Sequence, residues 1–175
     1  MDPPIRYCNF NRSNFFNTSF NSTRLDHSTF NSARIYTSTF LKASVENVKF
    51  KGSTLRNVDF SGADLRRSDF SQARMNKITF NSSNINNVVF DNAKIYACNF
   101  SDLIMEHTRF IDSQIKNSDF SNVDFVNCTL QNIDFTTCNI EGAKFNTSQL
   151  NDVIISKEQS IFMMDESQRS RFIIV

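Results

Sequence analysis

The chain of 175 residues lacks several features of ordinary globular and membrane proteins. It contains no tryptophan, three glycines and two prolines, whereas an ordinary α/β domain needs more glycine for its turns. Its longest apolar runs, 161–164 and 172–175, are four residues long, and a membrane-spanning helix needs about 20. We therefore expect a protein without a membrane partner.

A strong net charge and a secretory signal are also missing. The formal net charge is +1, so no bulk field draws the chain to nucleic acid, to a membrane or to a basic partner. The first residues lack the basic and apolar regions of a signal peptide. We expect a cytoplasmic protein, and export by another route stays open.

Nineteen phenylalanines stand among many asparagines and serines, which argues against a disordered polar tract because such tracts lack aromatic residues. Phenylalanine recurs at every tenth position from Phe10 to Phe120 without a slip, and the positions midway between them are also apolar. From 10 to 150, all 29 multiples of five are large and apolar. The sequence is therefore an internal repeat with a five-residue unit.

A second inward column lies two residues before each apolar centre. None of its members is charged, and only Ile78, Leu103 and Ile133 are larger than valine. Neither the 3.6-residue period of a helix nor the two-residue period of a flat strand fits this pattern. A chain that turns a corner every five residues does fit, and it predicts about 7.5 square coils in a rod roughly 36 Å long.

The second residue after each centre is rich in asparagine, aspartate and glycine, and all three glycines occupy this column. A type II turn needs a positive φ at its third residue, which glycine and asparagine adopt most easily. We predict another turn type where Arg67 or Lys77 occupies the column.

Residues 63–67, Ala-Asp-Leu-Arg-Arg, match the motif A(D/N)LXX, and residues 68–72 and 123–127 are close variants. The chain resembles the pentapeptide repeat family over residues 6–155. That resemblance implies an all-β fold, a right-handed quadrilateral β-helix. It also implies a possible partner, since one branch of the family resembles B-DNA and protects type II topoisomerases such as DNA gyrase.

Centres 20 residues apart should share one side of the coil. This places Phe10, Phe30 and their successors on one side and Phe20, Phe40 and theirs on the opposite side, as two phenylalanine stacks across the core. After Phe120 the alternation breaks, because Phe125, Phe135 and Phe145 fall on the aliphatic sides. We expect a different cross-section in the last coils.

The ends of the repeat predict caps. Residues 1–5 contain Pro3 and Pro4, which cannot extend a ladder, and we expect an N-terminal cap there. Residues 156–175 should form a C-terminal helix over about 157–170, begun by a capping box from Ser156 to Gln159, followed by an apolar tail. Ile161 and Phe162, with Met163 or Met164, should seal the last coil. The tail either folds back on the helix or makes a homodimer contact, and members of the family often dimerise through their C-terminal ends. The candidate contact residues are Phe162, Phe172, Ile173, Ile174 and Val175.

The residue types used in catalysis do not converge. His27 and His107 share an outward column about four coils apart, roughly 19 Å, so we expect them to be solvated. Cys8, Cys98, Cys128 and Cys138 all occupy the small inward column, which predicts buried thiols, with no disulfide and no metal spacing. We predict no enzyme activity and no cofactor.

Charge is sorted unevenly among the four sides. The side centred on Phe15, Ile35 and their successors carries six cations and two tyrosines, and Asp134 is its only acid. The cations are Arg34, Arg56, Arg74, Lys77, Lys94 and Lys116, and the tyrosines are Tyr36 and Tyr96. The next side is predominantly acidic. It contains one cation, Lys42, and the four acids Asp59, Asp102, Asp119 and Glu141. The basic side is either a solvated surface sorted by chance or a docking surface.

Three functions fit the sequence. The first, which we favour, is a protein-interaction module or scaffold that uses a rigid side of the β-helix. The second is topoisomerase protection by DNA mimicry, although that family branch is strongly acidic and this chain is not. The third is weak, salt-sensitive binding of nucleic acid on the basic side.

Overall fold

The computed structural model describes residues 5–162 and 166–175. Its strands are short because the chain changes direction after almost every five residues. In chain order the elements are β1 (Asn14–Phe16), β2 (Arg34–Tyr36), β3 (Thr54–Asp59), β4 (Arg74–Thr79), β5 (Lys94–Tyr96), β6 (Ile104–Glu106), β7 (Arg109–Ile111), β8 (Gln114–Lys116), β9 (Asp124–Val126), β10 (Thr129–Asp134), β11 (Gln149–Ile155), α1 (Lys157–Ile161), α2 (Glu166–Arg169) and β12 (Ile173–Ile174).

Paired strands are parallel and come from successive coils. Ile35 lies opposite Leu55, and Leu55 lies opposite Met75, so one coil contains 20 residues. Three sheets result, with the strand orders β1-β2-β3-β4-β5-β8, β12-β11-β10-β7 and β6-β9. The predicted β-solenoid is confirmed, with about eight turns.

The core contains the two predicted phenylalanine stacks. Within one stack the rings of Phe30 and Phe50 are 5.1 Å apart and inclined by 15°, and in the other the rings of Phe40 and Phe60 are 4.7 Å apart. Across the core Phe30 meets Phe40 edge to face, at 6.3 Å and 78°. Both arrangements are attractive for aromatic rings, so each ring is held by its own stack and by the opposite one.

The cross-section changes after Phe120, as predicted. Phe120 meets Phe135 edge to face at 5.3 Å, and Phe125 stacks on Phe145 at 4.8 Å and 10°. Phe125 and Phe135 are tilted to each other by 51°. The aromatic pairs of the last coils therefore lie on the sides that are aliphatic in the earlier coils.

The corner residues adopt positive φ almost regardless of their type. Arg67 has φ 61° and Ser68 N donates to Leu65 O at 3.0 Å, as in a type II turn, so the prediction of another turn type was wrong there. Lys77 also has a positive φ, 55°, but it lies inside β4, and its turn type stays a prediction. A left-handed conformation costs a non-glycine residue about 1–2 kcal/mol. The stacked coils impose it nevertheless, because the corner amide is bonded to the next coil, as in the donation from Arg67 N to Asn86 O at 3.1 Å.

The inward serines join neighbouring coils where a corner lacks its own turn hydrogen bond. At an ordinary corner the amide two residues before the next centre donates back to the previous centre, as from Ala33 N to Phe30 O at 3.0 Å. At the corner after Val45, the amide of Val48 donates instead to Ser68 Oγ at 3.1 Å. Ser68 Oγ in turn donates to Val45 O at 2.6 Å. This column therefore bonds the coils as well as filling space.

The C-terminal helix predicted over about 157–170 is divided, since the structure describes two short helices, α1 and α2, within that range. Ser156 and Gln159 form the predicted capping box, but α1 ends at Ile161 with Phe162 as its C-cap. Met163 and Met164 lie outside the described residues. Ile161 and Phe162 do not seal the last coil, since they are 71% and 62% exposed.

Phe172 seals the last coil instead. It is 8% exposed and meets the ring of Phe145 edge to face at 5.0 Å. The residues after it form β12, which pairs with β11 through Ile154↔Ile173 and Ile155↔Ile174. The tail therefore folds back on the last coil. Its last residue also meets the start of α1, where Lys157 N donates to Val175 O at 3.0 Å.

Two side chains satisfy carbonyl groups at this end of the solenoid. Gln159 Nε2 donates to the carbonyl oxygens of Phe135 and Cys138, at 2.8 and 2.7 Å. Arg171 donates to the carbonyl oxygens of Phe145, at 2.8 Å, and of Ser148. These bonds replace those that a further coil would have made.

The predicted N-terminal cap falls mainly outside the described residues, since only Ile5 of residues 1–5 is described. The carbonyl oxygen of Ile5 accepts a hydrogen bond from Ser28 Oγ at 3.0 Å. The first described residue is thus bonded to the coil that follows it.

Candidate partner-binding face

The predicted basic side is the outer surface of the sheet β1-β2-β3-β4-β5-β8, which we call the basic face. From β2 onward the centre of each strand, such as Ile35 or Ile95, is buried in the core, and the residues before and after it point outward. Arg34, Arg74 and Lys94 stand in the column before the centres, and Arg56 and Lys116 in the column after them. Lys77 occupies a corner beside them, at positive φ.

All six cations of the basic face are exposed. In the part of the chain that the structure describes, the ion pairs involve Arg6, Arg24, Arg66, Arg67 and Arg109 and none of these six. The face therefore presents positive charge that no carboxylate of the described chain neutralises, which is what attracts an anionic partner.

The column after the centres also carries aromatic rings. Phe16 and Tyr36 are in contact, with ring centroids 5.1 Å apart, and Phe16 is 62% exposed. Tyr96, three coils beyond Tyr36, is 46% exposed. Tyrosine combines a large apolar area with a hydroxyl group, and such side chains are enriched at protein interfaces.

Arranged by coil, the two columns contain one cation per coil over five consecutive coils. Arg34, Arg56, Arg74, Lys94 and Lys116 follow one another in this way, about 4.8 Å apart along the axis. Sequence reasoning identified these residues, because the 20-residue coil places them in register.

A shallow depression of about 210 Å³ lies at one end of the basic face, between β5 and β8. Lys94, Tyr96, Gln114 and Lys116 surround it, and Ile95 contributes to its floor. Lys94 lies opposite Gln114 and Tyr96 opposite Lys116, so the two lysines stand on a diagonal. Sequence reasoning missed Gln114, since a single neutral residue carries no charge signal, but the register with Lys94 identifies it.

The neighbouring acidic side differs from the basic face in that three of its four carboxylates are engaged within the chain. Asp59 Oδ1 accepts from the amide of Ser61 at 2.8 Å, and Asp119 Oδ1 accepts from the amide of Ser121 at 2.9 Å. Asp102 Oδ1 accepts from Asn122 Nδ2 at 2.9 Å. These acids serve the corners of the coils, whereas the six cations have no such role.

The candidate dimer contact is divided by the structure. Phe172 is buried in the core of its own chain, whereas Phe162, Ile173, Ile174 and Val175 are exposed. Four of the five candidate residues are therefore exposed at the C-terminal end, where Ile161 is exposed as well.

The histidines and cysteines are placed as their columns indicated. His27 and His107 occupy exposed corners, and the ring of His27 stacks on Tyr7 at 4.9 Å. Of the four cysteines, which are free, Cys8 is half-buried and the other three are buried. Burial raises the pKa of Cys98 to about 12 and the pKa of Cys128 to about 11, so neither thiol is a nucleophile at neutral pH.

No group of three or more histidine, cysteine, aspartate or glutamate side chains in residues 5–162 and 166–175 is placed to hold a metal ion. No helix in the same part of the chain is long and apolar enough to cross a membrane.

Solved structures similar to this chain are pentapeptide repeat proteins of low sequence identity. HetL, involved in heterocyst differentiation regulation in the cyanobacterium Nostoc sp. strain PCC 7120, is 13% identical, with a TM-score of 0.36 over 86% of this chain and 90% of its own. QnrB1, a plasmid-mediated fluoroquinolone resistance protein, is 17% identical, with a TM-score of 0.42 over 90% of this chain and 92% of its own. A protein of the Arabidopsis thaliana thylakoid lumen is 23% identical, with a TM-score of 0.30 over 66% of each chain.

No curated protein matches the chain. The family description "Pentapeptide repeat region", in contrast, matches three overlapping segments, residues 5–80, 54–120 and 96–159. These segments cover the whole solenoid, from its first coil to the start of α1. The chain therefore belongs to the pentapeptide repeat family.

Proposed function

We propose that this chain is a non-enzymatic protein-interaction module that docks a partner protein on its basic face. The observation that carries the proposal is the set of six exposed cations on one continuous sheet, none of them paired with a carboxylate of the described residues. These six charges are available to a partner.

The scaffold beneath the charges is rigid. The central residues of β2, β3, β4, β5 and β8 are buried. Each of these strands has a hydrogen-bonded neighbour on both sides, except β8, which forms the edge of the sheet. A preformed surface loses little backbone entropy when it binds, which leaves more of the interaction energy for affinity. A regular grid of side chains on such a surface suits a scaffold.

Reversal of charge on the face tests the proposal. Arg74→Glu combined with Lys94→Glu should abolish capture of the partner in a pull-down from lysate, analysed by mass spectrometry, without a change in the circular dichroism spectrum. The matched control is Lys49→Glu with Lys51→Glu, two exposed lysines that flank Phe50 on another side of the solenoid. If the face variant captures the same proteins as the wild type, the basic face is not the docking surface.

A further inference from the structure

The depression at the end of the basic face, together with the row of cations leading to it, identifies the chemistry of the partner. We propose that the partner presents an extended acidic segment along the solenoid axis and inserts one carboxylate side chain between Lys94 and Lys116. This inference rests on the proposed function and names the segment that the face would recognise.

The row of cations sets the length of the segment. From Arg34 to Lys116 the chain passes through five successive coils, and each coil contributes one cation to the row. Four steps of about 4.8 Å span roughly 19 Å, and an extended peptide covers that distance in about six residues. A short acidic segment can therefore contact every cation of the row without bending.

The donors around the depression suit an anion. Lys94 and Lys116 stand on one diagonal, and Tyr96 and Gln114 on the other. The two ammonium groups, the phenol hydroxyl and the amide NH₂ can all donate hydrogen bonds to carboxylate oxygens. The acid nearest in register is Asp134, one coil beyond Gln114, and its Oδ1 already accepts from the amide and the hydroxyl of Thr136, at 2.8 and 2.6 Å.

The size of the depression suits a single anionic group better than a whole small molecule. Small-molecule sites usually measure about 300–1,000 Å³, and this depression of about 210 Å³ is smaller. It has room for one carboxylate side chain.

Fluorescence anisotropy with a labelled peptide of alternating glutamate and serine tests the proposal directly. We expect the full chain to bind this peptide, and a peptide of alternating lysine and serine not to bind. Replacement of both Lys94 and Lys116 by glutamine should weaken binding of the acidic peptide by about tenfold, as loss of an interfacial charge pair does. The same replacement of Lys49 and Lys51 removes equal charge elsewhere and should leave the affinity within about twofold.

Three results would overturn the proposal. Equal losses in the two double variants would show attraction by net charge without a site, and absence of peptide binding would show that the face does not recognise an acidic segment. Tighter binding of a single-stranded oligothymidylate, lost on the same replacement of Lys94 and Lys116, would assign the face to nucleic acid. In one case the peptide fails to bind while the pull-down still captures a protein that the charge-reversed variant does not. That result would reject the acidic segment and leave the protein-interaction function in place.

Discussion

The inward serines show how one hydroxyl group can decide the stability of a corner. Ser68 and Ser53 are both completely buried in the small inward column. Ser68 Oγ accepts from Val48 N and donates to Val45 O, whereas Ser53 Oγ has no hydrogen-bond partner among the described residues. The two positions are the same in size and burial and differ in hydrogen bonding.

Alanine at these two serines should therefore have different effects. Ser68→Ala leaves a buried amide and a buried carbonyl without their partner and should lower the free energy of unfolding by about 1–3 kcal/mol. Ser53→Ala removes an unpaired hydroxyl and should leave the stability unchanged or raise it. Urea denaturation of both variants is the measurement, and equal losses would show that volume alone sets the cost.

The buried cysteines make the stability depend on alkaline pH. Burial raises the pKa of Cys98 from 9.0 to about 12, so between these values the folded state retains a proton that the unfolded state has lost. Stability should be at its full value below pH 9 and decline as the pH rises towards 12. Cys98→Ala should reduce this decline more than Cys8→Ala does, since Cys8 is only half-buried. The measurement is the denaturation midpoint of each variant at a series of pH values. An identical decline of the midpoint with pH in both variants would contradict the prediction.

Among the elements, the C-terminal tail closes the end of the solenoid through one aromatic side chain. Phe172→Ala should lower the free energy of unfolding by about 3 kcal/mol, because it empties a buried site, and should speed amide hydrogen exchange in β12. Ile174→Ala, at an exposed position of the same strand, should cost much less. Comparable losses in the two variants would show that β12 is held by its backbone pairing and not by Phe172.

The regular elements could be predicted from the sequence, and the irregular ones could not. The coil length, both phenylalanine stacks and the change after Phe120 follow from a pattern repeated many times. The positive φ of Arg67 and Lys77 did not follow, because local preference favours another turn and the stacked coils override it. Phe172 was not identified as the sealing residue, because the cap occurs once and no repeat reveals its contacts.

The candidate face was predictable for a related reason. Residues about 20 apart lie on the same side of a 20-residue coil. The proximity of Arg34, Arg56 and Arg74 therefore follows from their spacing in the sequence. Gln114 and the depression beside Lys94 require the actual register and side-chain positions. The sequence also could not show which acids are engaged within the chain, as Asp59 and Asp119 are, and this is what separates the two charged sides.

For the molecule as a whole, the charge layout argues against DNA mimicry. A rod that imitates the phosphate backbone needs a dominant acidic surface, and this chain has a net charge of +1 and an exposed cationic face. At saturating concentration it should therefore not restore supercoiling by DNA gyrase in the presence of a quinolone. Protection in that assay would show that the topoisomerase hypothesis is correct in spite of the charges.

The ten-residue spacing of the phenylalanines also determines which insertions and deletions the core and the basic face can accommodate. Loss of residues 76–85 would keep a phenylalanine at every tenth position, so the core would still close. It would turn everything downstream by half a coil, however, and carry Lys94 and Lys116 to the side opposite Arg34 and Arg56. Loss of a full 20 residues would turn nothing. The fold thus tolerates insertions and deletions in steps of ten, whereas a continuous binding surface survives only steps of twenty.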